Sequence, residues 1–345
     1  KTNLTSAQQL AALSPQNLAN TLQCNLADAH RLLDAVANAK HPSDTNDDAP
    51  HHPPTSAPTT NHRTPFRAAS ALARLNDERA ATPVVTLVPE LDALLGGGVV
   101  PRRLTEVAGV PGVGKTQLAM QLAVNTATPA SWGGAAGHAV YIDTEGSFSA
   151  VRARAMAEGL VAHLRSRLPA AAGVVPAKRY ADMQRELQNF SAEAILDSIH
   201  VYRCHDVIEL LATVRNLRAF AAQLDGPLRL VVIDSVAFHF RHESLPYERR
   251  RQMLGALANN LLDAAFDDAL AVVLINQVTT RVNEVTHESW IAPALGEAWS
   301  HTCSHKLMLE WRNGARIARP YKGGRPGSAA YEGAAVGVRA SFETA

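Results

Sequence analysis

Gly109-Val110-Pro111-Gly112-Val113-Gly114-Lys115-Thr116 is the stretch whose residue types and spacing point most directly to chemistry. It fits G-x-x-x-x-G-K-[ST], the pattern of a phosphate-binding loop. Its glycines let the backbone curl until successive N–H groups point inward at phosphate oxygens. Lys115 adds a mobile positive charge beside the β- and γ-phosphates, and the Thr116 hydroxyl is suited to ligating Mg²⁺. Gln117, next along, is counted with the loop. The chemistry expected is binding of ATP with Mg²⁺.

Three further residues could complete a hydrolytic set. Glu145 follows the apolar run His138–Asp143, at the end of a strand where an α/β sheet places its chemistry. It is expected to orient and polarise the attacking water; the alternative is a carboxylate that only faces a helix N-terminus. Asp234 ends the run Leu228–Asp234 and is expected to hold Mg²⁺, directly or through water. Gln277 follows Ala271–Asn276, where its amide can bond the γ-phosphate and relay that contact to residues 278–299. That stretch reads as a long loop holding Arg281 with Glu284 and Glu288.

The elements that must position these groups alternate between short apolar runs and helical spacing. Leu104–Ala108 reads as the strand before the phosphate loop, and residues 116–124 as the helix after it. The phosphates would then sit at a helix N-terminus, where the macrodipole favours anions. Thr82–Leu87, His138–Asp143, Ile199–Cys204, Leu228–Ser235 and Ala271–Gln277 read as strands, and 151–198 and 207–224 as mainly helical. Gly96-Gly97-Gly98 reads as a tight turn. Ala237–Glu243 reads as a loop leaving its strand, followed by a helix from about Arg249-Arg250-Arg251 to Asp267. Lys306–Trp311 and Ala315–Arg319 flank Asn313-Gly314, a hairpin signal, so the sheet should end antiparallel.

Before this core lie two different segments. Residues 1–40 repeat leucines at near-helical spacing and read as a small helical module. Residues 41–70 turn to His, Pro, Thr, Ser and Asn, a linker composition that cannot bury a core. Its His41, His51, His52 and His62 lack the spacing of a metal site. Ala71, Leu72, Leu75 and Ala80 mark a short amphipathic helix opening the domain at 71–345. With Lys+Arg 33 against Asp+Glu 32, any nucleic-acid surface must be local. Cys24, Cys204 and Cys303 fit no disulfide or metal spacing, which suggests a reducing compartment. No apolar run is long enough to span a membrane, and no membrane partner is expected.

With the phosphate loop, Glu145, Asp234 and Gln277 all at strand ends, the chain resembles RecA-type ATPases. Gly109–Thr126, Tyr141–Phe148, Phe238–His242 and Pro293–Trp299 resemble the eukaryotic paralogues of the Rad-fifty-one recombinase, the C branch above the others. The likeness covers residues 70–345; residues 1–40 agree only in helical pattern. It implies a RecA-like core, a twisted and mostly parallel sheet with helices on both faces, plus a small N-terminal helical domain. It implies ATP and Mg²⁺ at a protomer interface and DNA-facing loops after Asp234 and Gln277. Arg241, Arg249, Arg250, Arg251 and Arg281 are then the DNA-binding candidates. Arg152 falls where the family often faces the adenine, and Phe66 and Ala69 match the linker motif that docks into a neighbour's core.

The resemblance also implies homologous-recombination repair, as a slow DNA-dependent ATPase in a hetero-oligomer of sister paralogues. The partners implied are those paralogues, the main strand-exchange recombinase, and single-stranded and branched DNA. The place implied is the nucleus, with some protein in the cytoplasm. A filament-forming strand-exchange recombinase and a hexameric RecA-like helicase are the alternatives. Lys322 stands near where the strand-exchange enzyme has an aspartate over a neighbour's ATP, and residues 278–299 set Arg281 against Glu284 and Glu288, which weakens their attraction for phosphate. Both departures count against autonomous strand exchange.

Overall fold

Continuous apolar runs build the sheet, because a parallel strand covered on both faces has no side that needs to be polar. The computed structural model describes residues 70–242, 245–283, 287–334 and 337–340. The readings placed on residues 1–40, on the linker with Phe66 and Ala69, and on Glu284 lie outside the described residues. The chain divides into two units between Arg74 and Leu75, and every strand among the described residues belongs to the second.

Helix α1 (Ala71–Ala80) is followed by α2 (Pro89–Leu95), strand β1 (Arg103–Gly109), α3 (Lys115–Asn125) and β2 (His138–Asp143). Next come α4 (Ala150–Ala171), α5 (Ala177–Gln188), α6 (Ala192–Asp197), β3 (Ile199–Arg203), α7 (Val207–Ala221) and β4 (Leu228–Asp234). Then follow α8 (Phe238–His242), α9 (Tyr247–Asp267), β5 (Ala271–Asn276), β6 (Val278–Val282), β7 (Ser289–Pro293) and α10 (Gly296–Ser300). The chain closes with β8 (His305–Arg312), β9 (Ala315–Lys322), β10 (Ala329–Ala334) and β11 (Gly337–Ala340).

One nine-stranded sheet runs in the order β11-β10-β9-β8-β1-β5-β4-β2-β3. From β8 to β3 every neighbouring pair is parallel, and β9 to β11 extend it antiparallel. This is the expected α/β architecture. Successive side chains of β4 alternate between faces. Leu230 and Val232 join Leu118, Met156 and Leu160 of α3 and α4. Val231 and Ile233 join Leu210 of α7 and Leu257 and Leu261 of α9. Each buried Val, Leu or Ile is worth roughly 1.5–3 kcal/mol over exposure, which is what holds helices on both faces.

Four expectations fail. Thr82–Leu87 is no strand; Val84 makes a single bridge with Val99. The carbonyls of Val85 and Thr86 instead take the side-chain amides of Asn125 and Gln121, and the Thr86 N–H takes Asp92. Phe238–His242 is a short helix, with Phe240 buried beneath it. Residues 278–299 are not one loop: β6 and β7 pair as an antiparallel hairpin, Val278 opposite Pro293, and α10 follows. Their β-branched and aromatic residues suit a strand pair more than a coil. Finally, α1 buries none of its residues, and both Leu72 and Leu75 are exposed. The Asn313-Gly314 turn does join β8 to β9, with φ of 51° and 80°.

Candidate functional site

The phosphate loop joins the middle of the sheet to a helix N-terminus. Gly109 ends β1 hard against β8, where a Cβ would lie 2.5 Å from the Leu309 carbonyl oxygen. Gly114 precedes α3 with φ 107°, a left-handed conformation that suits glycine. Its neighbours Val110, Pro111, Gly112 and Val113 form the turn that precedes α3. Lys115 Nζ donates to the carbonyl oxygens of Gly109 and Val110, at 2.8 and 3.0 Å, so the ammonium closes over the loop. Burial lowers its pKa, while Asp234 and Glu145 pull the other way. Below the loop the Tyr331 hydroxyl donates to the Val113 oxygen at 2.8 Å. Sequence reasoning missed that brace, because Tyr331 sits 218 residues further along.

The tips of β2, β4 and β5 lie side by side, since β4 pairs with both of the others. Asp234, buried at the tip of β4, accepts from the Tyr141 hydroxyl at 2.7 Å and also hydrogen-bonds Thr116. Burial raises its pKa, and those two hydroxyls oppose the shift. A buried carboxylate beside a loop threonine is the donor set that a Mg²⁺–phosphate unit takes. Glu145 Oε1 accepts from the Ser235 hydroxyl at 2.6 Å and from the Gln277 amide at 2.8 Å. It faces these two groups rather than a helix, since α4 starts only at Ala150 with Ser149 as its cap. The structure thus brings together Lys115, Thr116, Glu145, Asp234 and Gln277.

Asp143 holds this arrangement, and sequence reasoning passed over it. Its Oδ1 accepts the N–H groups of Glu145, Gly146 and Ser147 at 3.2, 2.7 and 3.1 Å, and its Oδ2 that of Phe148 at 3.2 Å. The signal was present in Asp-Thr-Glu-Gly: an aspartate ahead of a glycine accepts backbone N–H groups and sets a turn.

A second buried group anchors the tip of β5. Lys306 of β8 and Glu106 of β1 form an ion pair at 2.6 Å with side chains 3% and 0% exposed. Asn276 donates to Glu106 and, at 3.0 Å, to the Ala294 oxygen, which fixes the residue before Gln277. In the same pocket burial, followed by Glu106, pushes the Cys303 thiol up to about 12.

The arginines divide. Arg241 on α8 donates to Gln277 Oε1, so it continues the chain from Glu145 through Gln277. Arg249 is exposed, Arg251 pairs with Glu248 at 3.1 Å, and the Nε of Arg250 is buried without a partner. Arg241, Arg250 and Arg251 line a cavity of about 650 Å³ with Phe240, Tyr247 and Trp299. The Trp299 indole nitrogen is also buried without a partner. Arg281 lies on β6, opposite Trp290 of β7 and half-buried. Arg152 is exposed on the first turn of α4. Lys322 reaches the carbonyl oxygens of Ser300 and His301 at 3.2 and 3.4 Å, where a cation complements the C-terminus of α10.

A Rad51 family model matches residues 79–168. The chain is 39% identical over 253 residues to "DNA repair protein RAD51 homolog 3" of Cricetulus griseus, covering 73% of this chain and 66% of that protein. It is 38% identical over 239 residues to the protein of the same name from Dictyostelium discoideum, covering 69% and 60%. The chain therefore spans slightly under two thirds of both. "DNA repair and recombination protein RadA" of Methanoculleus marisnigri is 33% identical over 241 residues, covering 68% of this chain and 67% of that protein. With a P-loop at the centre of a RecA-like sheet and these relatives, the chain belongs to the Rad51 family.

Proposed function

We propose that this chain is an ATP-binding DNA-repair protein of homologous recombination that works beside sister paralogues in a hetero-oligomer and assists assembly of the main recombinase on single-stranded or branched DNA. The observation that carries the reading is the unbroken polar chain from Glu145 through Gln277 to Arg241. It joins the nucleotide side of the sheet to the basic cavity beside α9. The site of action is the nucleus, with some protein in the cytoplasm.

In this reading the residues divide the work. Gly109 to Thr116, with Gln117, cradle the phosphates through backbone N–H groups, and Lys115 leaves the Gly109 and Val110 oxygens to meet their charge. Thr116 and Asp234 hold Mg²⁺, which neutralises phosphate charge when bound. Arg152, exposed on the first turn of α4, would face the adenine. Glu145 would orient and polarise the attacking water, and Gln277 would sense the γ-phosphate. Hydrolysis is slow, ATP to ADP and phosphate.

DNA contact runs through Arg241, Arg249, Arg250, Arg251 and Arg281, with aromatic groups of the cavity available for stacking. Assembly runs through Phe66 and Ala69 of the linker seated on another chain. The fitting acceptor is a free sheet edge. Among the described residues β3 is the outer strand at one end of the sheet, beside a groove of about 620 Å³ lined by Tyr202, Arg203, Phe220 and others.

One experiment covers these claims. Tagged parent and Lys115→Ala chains are used for capture from a cell extract, and both are titrated with ATP by calorimetry. The parent is expected to retain recombination paralogues and to bind ATP at least about tenfold more tightly, the worth of one charge-assisted contact. Equal affinities would remove the nucleotide site. A parent that captures only itself, as a long homopolymer on single-stranded DNA, is a strand-exchange recombinase instead.

A further inference from the structure

Arg203 is the one charged group at the tip of β3, and its reach crosses to the next strand. Its Nη1 donates to the Asp143 carboxylate at 3.3 Å and to the Asp143 carbonyl oxygen at 3.2 Å. The guanidinium also lies flat against Gly146, where a Cβ would approach its nitrogens and carbon at 3.1–3.4 Å. Gly146 has φ 78°, so the turn needs glycine for its backbone as well as for that approach. The Cys204 N–H adds a third tie to the Asp143 oxygen at 3.0 Å. The same turn carries Glu145 on one side and, through Ser147, reaches Asp234 at 3.4 Å on the other. Thr144 ties the start of the turn to β4, through its N–H on the Asp234 oxygen and its hydroxyl on Ser235, and the Asp143 cap ties it on the β3 side.

We propose that Arg203 is a positioning residue for Glu145: its guanidinium clamps the Asp143-capped turn from outside and so fixes the Glu145 carboxylate against Ser235 and Gln277. The inference rests on the hydrolytic reading of Glu145 and deepens it. Asp143 accepts four backbone N–H groups with its side chain at 6% exposure, and a cation beside that buried carboxylate strengthens its hold as an acceptor. Arg203 is that cation, and its own side chain is 41% exposed. The plane serves Gly146: Nη1 alone makes both bonds to Asp143, and the rest of the guanidinium covers the glycine. Lysine supplies the charge without the plane.

The test compares parent, Arg203→Gln, Arg203→Lys and Glu145→Gln by two readouts. The first is hydrogen exchange at the amides of residues 145–148. Arg203→Gln is expected to speed it about tenfold with the melting temperature near that of the parent, and Arg203→Lys to restore it in part. The second is the preference for ADP with aluminium fluoride over ADP alone, which reads the geometry around an attacking water. Arg203→Gln is expected to lose about tenfold of that preference, in the same direction as Glu145→Gln, with ADP affinity unchanged. Unaltered exchange overturns the proposal. So does faster exchange with the preference intact while Glu145→Gln loses it. If Glu145→Gln also keeps the preference, the hydrolytic reading of Glu145 falls, and faster exchange still establishes the clamp on the turn.

Discussion

A single oxygen of Glu145 accepts two donors, the Ser235 hydroxyl and the Gln277 amide. Replacing Glu145 by Gln keeps the shape and an acceptor oxygen but removes the charge that polarises water. The expected outcome is ATP affinity within about twofold of the parent and turnover lower by on the order of a hundredfold. Equal turnover in parent and variant would make Glu145 a structural group. At this scale the sequence was informative where chemistry sits at a strand end. Lys115, Glu145, Asp234 and Gln277 each follow an apolar run, and the parallel sheet aligns those ends. Arg203, Tyr331 and Lys306 were not legible in the same way. Their work depends on partners far off in sequence, 60 residues between Asp143 and Arg203 and 218 between Val113 and Tyr331.

Among the elements, the strands that are apolar throughout were readable, because their apolar runs are short and end at a chemistry-bearing or turn residue, whereas the equally buried α3 carries its amides Gln121 and Asn125 inside a longer run. The errors fell where a short segment has competing partners. Residues 82–87 have strand composition but give their carbonyls to α3 side chains. The β6–β7 hairpin carries charge and exposed aromatics, which read as loop, and only pairing reveals it. In the proposed function helix α9 carries most of the DNA-binding candidates. Its arginines are not equivalent: Arg249 is exposed, Arg251 shares Glu248, and Arg250 points its Nε inward. Replacing Arg249, Arg250 and Arg251 together by Gln should weaken single-stranded DNA binding with little sequence preference lost. The slope of log affinity against log salt should fall by about two, from ~0.7 for each phosphate contact on a single strand. An unchanged slope would place DNA contact elsewhere. Restoring Arg249 alone should recover more of the slope than restoring Arg251, whose charge is shared.

At the scale of the molecule, three histidines among the described residues bind a proton less readily than a free imidazole. Burial lowers His200, with His138 adding to the effect, and lowers His305 and His163, each beside an arginine that acts the same way. A histidine whose folded pKa lies below the unfolded value of about 6.5 binds its proton more readily in the unfolded chain. Stability is therefore complete above that pH and falls as pH drops from about 6.5 through the lowered folded values. Melting temperatures between pH 7.5 and 5.5 should decline steadily, and a His200→Gln, His305→Gln variant should show a flatter decline. A melting temperature that rises on acidification would mean that these buried rings do not set the pH dependence.

The strand that bears the phosphate loop lies between β5 and β8, both of which come from the last third of the chain. During synthesis β1 emerges early and waits with both sides open, while β2, β3 and β4 leave the ribosome without the strand that should join them. Contacts so distant in sequence form slowly and leave apolar edges uncovered meanwhile. A nascent chain of this protein is thus a natural client for chaperones until His305 and its neighbours have appeared. A premature stop after α10 would leave β1 unpaired on the β8 side, and would take away Leu309 behind the loop and Tyr331 beneath it. Such a message encodes an aggregating fragment rather than a smaller nucleotide binder.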